Sequence, residues 1–148
     1  MSNTSNNNHF EAEDKSLNDV FKRCQDTSFV VPRYQRQYTW DTTNIEDFWA
    51  DLKSEHMIFF GSFLYTLNDD VQEIDIVDGQ QRITTVTIFV SLIRNLMVDL
   101  GKNSPNVSKD QRDLMRSYAN DLETNFIWKE DFGPDGVVVN KYYIVHNK

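Results

Sequence analysis

The amino-acid sequence predicts a compact α+β domain, with a small mixed sheet, flanking helices and one long central helix. The chain has 148 residues, of which 39% are hydrophobic and 13% aromatic, so a single domain can bury a substantial core. Apolar residues recur at helical spacing in several segments, and short apolar or alternating segments lie between them. The resulting order, βαββα with flanking helices, is typical of a small α+β domain.

The helical spacing predicts helices at about residues 12–25, 43–55, 81–100 and 109–125. The apolar stripe of the first helix includes Cys24, which we expect to be a core residue. The third helix is apolar over more than one face from Ile83 to Leu100, which predicts a buried helix and not a membrane span. Gly101 follows as its expected C-terminal cap.

Strands are predicted at residues 29–31, 58–67, 72–77 and 137–145. The second and third form a hairpin around a turn at 68–70, and Gly61 marks a bulge or a close approach within the second. No partner is evident for the last strand. We therefore expect this chain to be the N-terminal part of a longer protein.

Residues 1–10 are predicted to be a flexible polar tail, and 11–148 to form the domain. The amino terminus lacks a basic region followed by an apolar one, so no secretory signal is expected and the protein is predicted to be cytoplasmic. Cys24 is the single cysteine, which excludes an internal disulfide framework and a cysteine zinc site.

The net charge is −8, from 23 acidic and 15 basic residues, and such a chain is a poor general binder of the DNA backbone. Five acids lie in residues 41–60 and five in 61–81, whereas 29–40 carries two arginines and no acid. Any anion site must therefore be built from a few placed arginines.

The sharpest pattern is Asp78-Gly79-Gln80-Gln81-Arg82, where a predicted strand meets the long helix. Gly79 allows a tight turn, and the unpaired amides and dipole of the helix start favour phosphate. Arg82 adds a bidentate donor, while Gln80 and Gln81 can position a hydroxyl, a ribose or a water. Asp78 can hold Mg²⁺ or orient an attacking water.

A simpler interpretation is that Asp78 caps the helix, Gly79 makes the turn and Arg82 lies on the surface. A cap accounts for the aspartate and the glycine. It does not account for two glutamines and an arginine at this place, so both interpretations stay open on spacing alone.

The second pattern is the segment 32–40, in which two arginines alternate with three aromatic residues and two glutamines. Such a segment can stack on a base and grip phosphates. Alternatively, it is a surface loop whose aromatic side chains fill the core, which is the favoured interpretation for Tyr38 and Trp40. For Arg36 the two interpretations are balanced. Thr84 and Thr85 either reach a phosphate or simply fill the crowded helix.

These residues resemble the N-terminal domain of GmrSD-type restriction systems over about residues 12–145. The resemblance is carried by Pro32-x-Tyr34-Gln35-Arg36-x-Tyr38-x-Trp40, Phe60-Gly61-Ser62 and Asp78-Gly79-Gln80-Gln81-Arg82-Ile83-Thr84-Thr85. It implies a fold of the ParB/sulfiredoxin type, with nucleoside triphosphate binding and hydrolysis at the DGQQR motif. It also implies restriction of phage DNA, often DNA with modified bases, and a nuclease of HNH type in a separate C-terminal domain or subunit.

With this resemblance, the nucleotide-binding residues are predicted to be Tyr34, Gln35, Arg36, Gly79, Gln80, Arg82, Thr84 and Thr85. The predicted catalytic residues are Asp78, Gln81 and Arg82, with Asp78 also the candidate Mg²⁺ ligand. This chain carries no nuclease motif, so DNA cleavage is not expected from it. The expected enzymatic activity is nucleotide hydrolysis in the full-length protein. DNA is expected to bind through the full-length protein, and a homodimer is left open.

Two other functions compete with a nucleotide-hydrolysing sensor. One is a module that binds modified DNA without hydrolysis, supported by the arginines of 32–40. The other is a structural domain that docks a nuclease.

Overall fold

The computed structural model describes residues 12–23, 27–54, 58–68, 73–133 and 135–146. The helices are α1 (Leu17–Arg23), α2 (Thr42–Leu52), α3 (Gln80–Asn103) and α4 (Lys109–Phe126). The strands are β1 (Ser28–Val31), β2 (Leu64–Asn68), β3 (Glu73–Asp78), β4 (Trp128–Phe132), β5 (Val138–Tyr142) and β6 (Ile144–His146). The predicted α+β class is confirmed. The predicted tail at 1–10, Cys24 and most of the predicted turn at 68–70 lie outside the described residues.

The main sheet has the strand order β2-β3-β1-β6 and determines where the two sequence motifs meet. β1 pairs in parallel with β3 and with β6, whereas β2 pairs antiparallel with β3 in the predicted hairpin. The carboxyl ends of parallel strands lie at one edge of a sheet. The loop that follows β1 and the turn that follows β3 are therefore neighbours, although more than 40 residues separate them in sequence.

The core lies between this sheet and the first turns of α3. Alternation along β3 buries Ile74 and Ile76, and Ile83 of α3 is completely buried against them. Phe21 of α1 and Tyr143, between β5 and β6, are also completely buried. These side chains fix α3 relative to β3, so the turn between them is held by the core of the domain.

α3 is longer and less buried than predicted. Its 24 residues correspond to about 36 Å, and Gly101 lies inside it, with Ser104 as the C-cap. Only its first turns enter the core, whereas Leu92 and Leu96 are 60% and 58% exposed beside α4. The prediction of a buried helix is therefore wrong for the carboxyl half, because α4 packs along one face of α3 and leaves Leu92 and Leu96 uncovered by the described residues. Among those residues, α3 alone is long and apolar enough to cross a membrane by length and composition.

The segment 58–67 was predicted as one strand, but β2 begins only at Leu64. Residues 58–63 have no regular structure, and Gly61 within them has a φ of +94°. The partner strand ends there, because Leu64 pairs with Asp78 and α3 begins at Gln80, and the Ser62 carbonyl accepts a hydrogen bond from Arg82 instead.

The carboxyl-terminal strands differ most from the prediction. The segment 137–145 is two strands, β5 and β6, which separate at Tyr143, and β4 was not predicted at all. β5 pairs with β4 and β6 pairs with β1, so the expectation of an unpartnered final strand is wrong. The sequence of β4, WKEDF, lacks the apolar alternation of a strand and depends on cross-strand contacts such as Trp128 with Tyr142.

α1 is also shorter than predicted, because it begins only at Leu17. Ser16 precedes it, and the Ser16 hydroxyl accepts a hydrogen bond from the amide of Asp19, as an N-cap residue does. The same hydroxyl donates to the Asp19 carboxylate and lowers the pKa of that side chain.

Candidate functional site

The turn between β3 and α3 is made by Gly79 in a left-handed conformation. Its φ is +96°, and a Cβ placed there would lie 2.5 Å from the Phe63 ring. Gly79 is the N-cap of α3 and supplies no capping side chain, unlike Asp41 and Ser108, which cap α2 and α4. Asp78 therefore does not cap α3. The first backbone amides of this helix have no side-chain acceptor among the described residues.

The two glutamines of the motif hold the loop that follows β1. Gln80 Nε2 donates to the Arg36 carbonyl at 2.7 Å, and Gln81 Nε2 donates to the Gln37 carbonyl at 3.0 Å. Gln81 Oε1 accepts from the Thr39 amide at 2.8 Å. Both glutamines are more than 90% buried. Buried amides need such partners, so these side chains join the two motifs into one unit.

Side chains of the loop make the reciprocal contacts. Gln35 Nε2 donates to the Val77 carbonyl at the end of β3 at 2.8 Å. The Tyr38 hydroxyl lies 2.9 Å from the hydroxyl of buried Thr85, which in turn donates to the Gln81 carbonyl. Gln35, Gln81 and Thr85, predicted to contact nucleotide or water, are thus engaged in joining the loop to β3 and to α3.

Arg82 connects the helix start to the third motif, Phe60-Gly61-Ser62. Its Nη2 donates to the Ser62 carbonyl at 2.7 Å and to the Asp78 carboxylate at 3.3 Å. Its guanidinium lies 5.4 Å from the centre of the Phe63 ring. Gly61 has a φ of +94°, which favours glycine, and a Cβ on it would come 1.8 Å from Arg82 Nη1, so a larger residue would displace the guanidinium. Nε and Nη1 have no hydrogen-bond acceptor within the described part of the chain.

Several charged and polar groups near the start of α3 have few or no partners among the described residues. Within the described ranges, the side chains of Arg33 and Arg36 form no ion pair, and Tyr34 between them is 75% exposed. The Asp78 side chain is 71% exposed, and its one polar contact within the described residues is with Arg82. Gln80 Oε1 is buried and has no hydrogen-bond partner among the described atoms. A donor is therefore missing beside the helix start.

The structure brings most of the predicted site residues together at the carboxyl edge of β1 and β3. Contacts with neighbouring motif residues are made by Gln35, Gln80, Gln81, Arg82, Thr85, Asp78 and the backbone of Arg36. Tyr34 makes none in the described part, and Thr84 is half-buried on α3. In the described residues, no group of three acidic, histidine or cysteine side chains could form a metal site.

Sequence reasoning missed the structural role of Phe63 and of the Thr39 and Ser62 backbone. Phe63 follows the Phe60-Gly61-Ser62 motif, and its ring lies against both Gly79 and the Arg82 guanidinium. The glycine in each of the two motifs indicated a close approach, but the spacing did not indicate what approaches.

Comparison with known proteins agrees with this motif arrangement. The family model for the GmrSD restriction endonuclease, N-terminal domain, matches residues 17–141, which is most of the chain and includes all three motifs. No curated protein matches this sequence. The chain therefore belongs to the family of GmrSD restriction endonuclease N-terminal domains, and is a domain of the phage-defence class.

Proposed function

We propose that this domain binds a nucleoside triphosphate with Mg²⁺ at the amino end of α3, and hydrolyses it as the sensor of a restriction protein. The observation that carries the proposal is the start of α3. A 24-residue helix begins at a left-handed glycine without a capping side chain, and its first turn is bonded to a loop whose two arginines form no ion pair with any described residue. Free helix amides and arginines together favour a phosphate group.

The arginines have separate roles in this proposal. Arg82 already holds Ser62 and Asp78 through Nη2, and its remaining donors are available to a phosphate oxygen. Arg36 contributes a guanidinium that the described fold does not use, from a backbone position bonded to Gln80. A hydroxyl or amine of the ligand would satisfy the buried Gln80 Oε1.

Asp78 is the residue that would hold the metal. Its exposed carboxylate stands beside Arg82, and Mg²⁺ is commonly held by one or two carboxylates together with substrate phosphates. Bound there, the ion would neutralise charge on the transferred phosphoryl group. The predicted role of Gln81 in orienting water needs a water to reach a side chain that is more than 90% buried and already bonded to the loop through Nε2 and Oε1. Gln81 is then a positioning residue.

Family membership supports the cellular part of the proposal. A restriction endonuclease needs a nuclease and DNA, so the partners we propose are an HNH-type nuclease domain or subunit and phage DNA. A cytoplasmic location is proposed with them. Nucleotide binding here would report to that nuclease.

The test is calorimetric titration of the 148-residue chain with Mg²⁺ and each of ATP, GTP, CTP and UTP, with Arg36→Ala as the main variant. The Arg36 side chain has no partner in the described fold, so its removal should leave the melting temperature unchanged and weaken binding at least tenfold. Arg82→Ala is a poorer choice, because it also removes contacts to Ser62 and Phe63.

Arg116→Ala is the matched control, since this arginine lies on α4 and its side chain is 83% exposed. It should bind like the wild type. The proposal is contradicted if none of the four nucleotides binds, or if Arg36→Ala and Arg116→Ala bind nucleotide with equal affinity.

Tyr34 favours a second function, a module that binds modified DNA. An exposed aromatic ring between two arginines that form no ion pair in the described part of the chain can stack on a base while the arginines contact phosphates. Filter binding of DNA at two salt concentrations separates the two, because phosphate contacts give a steep salt dependence. In this alternative Tyr34→Ala abolishes DNA binding without changing nucleotide affinity.

A further inference from the structure

A pocket of about 230 Å³ lies beside the Arg82 site, between α2 and residues 58–60. Its walls include the rings of Trp40, Phe48, Phe59 and Phe60. Phe48 and Phe60 meet edge to face at 5.6 Å, which fixes this part of the wall. Phe59 is 84% exposed and stacks on no other ring in the described part of the chain, so its face is available to a flat ligand.

α2 supplies two carboxylates to the same pocket. Asp47 and Asp51 lie one turn apart on the helix, and both line the pocket. Neither carboxylate takes part in an ion pair or a side-chain hydrogen bond within the described residues. Ionised carboxylates only accept hydrogen bonds, so a ligand group that contacts Asp47 or Asp51 directly does so through an N–H or O–H donor.

Arg82 lines the pocket as well and joins it to the helix start. One ligand can therefore place an anionic group at Arg82, a flat ring among the aromatic side chains and N–H donors toward α2. The pocket is smaller than the roughly 300–1,000 Å³ typical of sites for drug-sized ligands, which favours one ring system over a whole nucleotide.

We infer that this pocket is the base subsite of the nucleotide, and that it selects bases with an exocyclic amine. The inference rests on the proposed function, because it assigns the base of the same triphosphate. Cytosine and adenine present an amine where uracil and hypoxanthine present a carbonyl oxygen. A carbonyl oxygen in the same position would lie against an oxygen of Asp47 or Asp51, and two acceptors repel each other, which disfavours binding.

Two matched ligand pairs test the selection by calorimetry with Mg²⁺: CTP against UTP, and ATP against ITP. We expect the amine-bearing member of each pair to bind at least tenfold more tightly than its partner. Inorganic tripolyphosphate, which lacks base and ribose, should bind more weakly than either. Equal affinities within both pairs overturn the inference.

The variants Asp47→Asn and Asp51→Asn test which carboxylate causes the preference for amine-bearing bases. An amide can donate to a carbonyl, so at least one of them should narrow or reverse the preference for CTP over UTP. Glu46→Gln is the control, because it removes a carboxylate on α2 that does not line the pocket. An unchanged preference in both aspartate variants, or an equal change in the control, overturns the inference.

The outcomes also separate this inference from the proposed function. Binding of tripolyphosphate and of all four nucleotides with one affinity leaves the phosphate site standing and removes the base subsite. No binding of any triphosphate contradicts both.

Discussion

The two ends of α3 differ in how polar and apolar side chains are distributed. At its amino end, Gln80, Gln81 and Thr85 are buried and hydrogen-bonded to the loop that follows β1. In its carboxyl half, Leu92 and Leu96 are largely exposed. This reverses the usual placement, in which apolar side chains are buried and polar ones face water.

The difference shows which end the fold holds in one conformation. Burial of an amide is costly unless it is hydrogen-bonded, so the buried glutamines require the loop at one position. The exposed leucines impose no such requirement. The amino end is thus preorganised, as a binding site needs to be.

The largest expected difference in the free energy of unfolding is between two substitutions of a large apolar residue by alanine in α3. Ile83→Ala removes a completely buried side chain and should lower the free energy of unfolding by about 2–5 kcal/mol. Leu96→Ala removes a side chain that is 58% exposed and should change it by less than about 1 kcal/mol. Urea denaturation followed by circular dichroism measures both. Similar losses would contradict the asymmetry.

A glycine near each end gives the second contrast. Gly79→Ala places a Cβ 2.5 Å from Phe63 at a positive φ, and should cost about 1–3 kcal/mol. Gly101→Ala meets nothing closer than 3.9 Å inside the helix, and should stabilise by about 0.4–1 kcal/mol. Opposite shifts in melting temperature are therefore predicted. A stabilising Gly79→Ala would show that the left-handed turn is wrong.

The loop contacts give the third contrast. Gln81→Leu leaves the Thr39 amide and the Gln37 carbonyl without their partner, and should cost about 1–3 kcal/mol. Trypsin should then cleave faster after Arg33 and Arg36, because the loop is released. Gln37→Leu is the control, since the loop contact of Gln37 is through its carbonyl oxygen. Equal cleavage rates in the two variants would show that Gln81 does not hold the loop.

The smallest effect concerns helix capping. Ser108→Ala removes the hydroxyl that accepts from the Gln111 amide at the start of α4, and should cost about 1 kcal/mol. α3 has no side-chain cap to lose. Addition of Mg²⁺ and the preferred triphosphate should raise the melting temperature of this variant as it does that of the wild type. If the triphosphate no longer raised the melting temperature of Ser108→Ala, the ligand would bind at the start of α4 instead.

Sequence reasoning succeeded where the signal was local. The helical spacing from Ile83 onward, and the alternation around Ile74 and Ile76, predicted α3 and β3 because each pattern lies within one element. β4 was missed because its charged sequence becomes a strand only through pairing with β5. Local patterns do not report pairing between distant segments.

The residues of the candidate site were predicted, but the hydrogen bonds between them were not. The resemblance named Gln80, Gln81 and Gln35, but their hydrogen bonds to the facing segment depend on the parallel pairing of β1 with β3. The position of a glutamine in the sequence does not indicate whether its side chain bonds to a ligand or to the backbone. Asp47 and Asp51 were not predicted as site residues, because their spacing on α2 does not indicate that they line a pocket together with Arg82.

The central claim is that the amino end of α3 binds phosphate, and amide chemical shifts test it most directly. Mg²⁺ and tripolyphosphate are titrated into isotope-labelled protein while the backbone amide resonances of α3 are followed. The account predicts the largest shifts at Gly79, Gln80, Gln81 and Arg82, and negligible shifts at Leu96 and beyond. Saturating ligand without shifts at the first turn, or with the largest shifts in the carboxyl half, would contradict it.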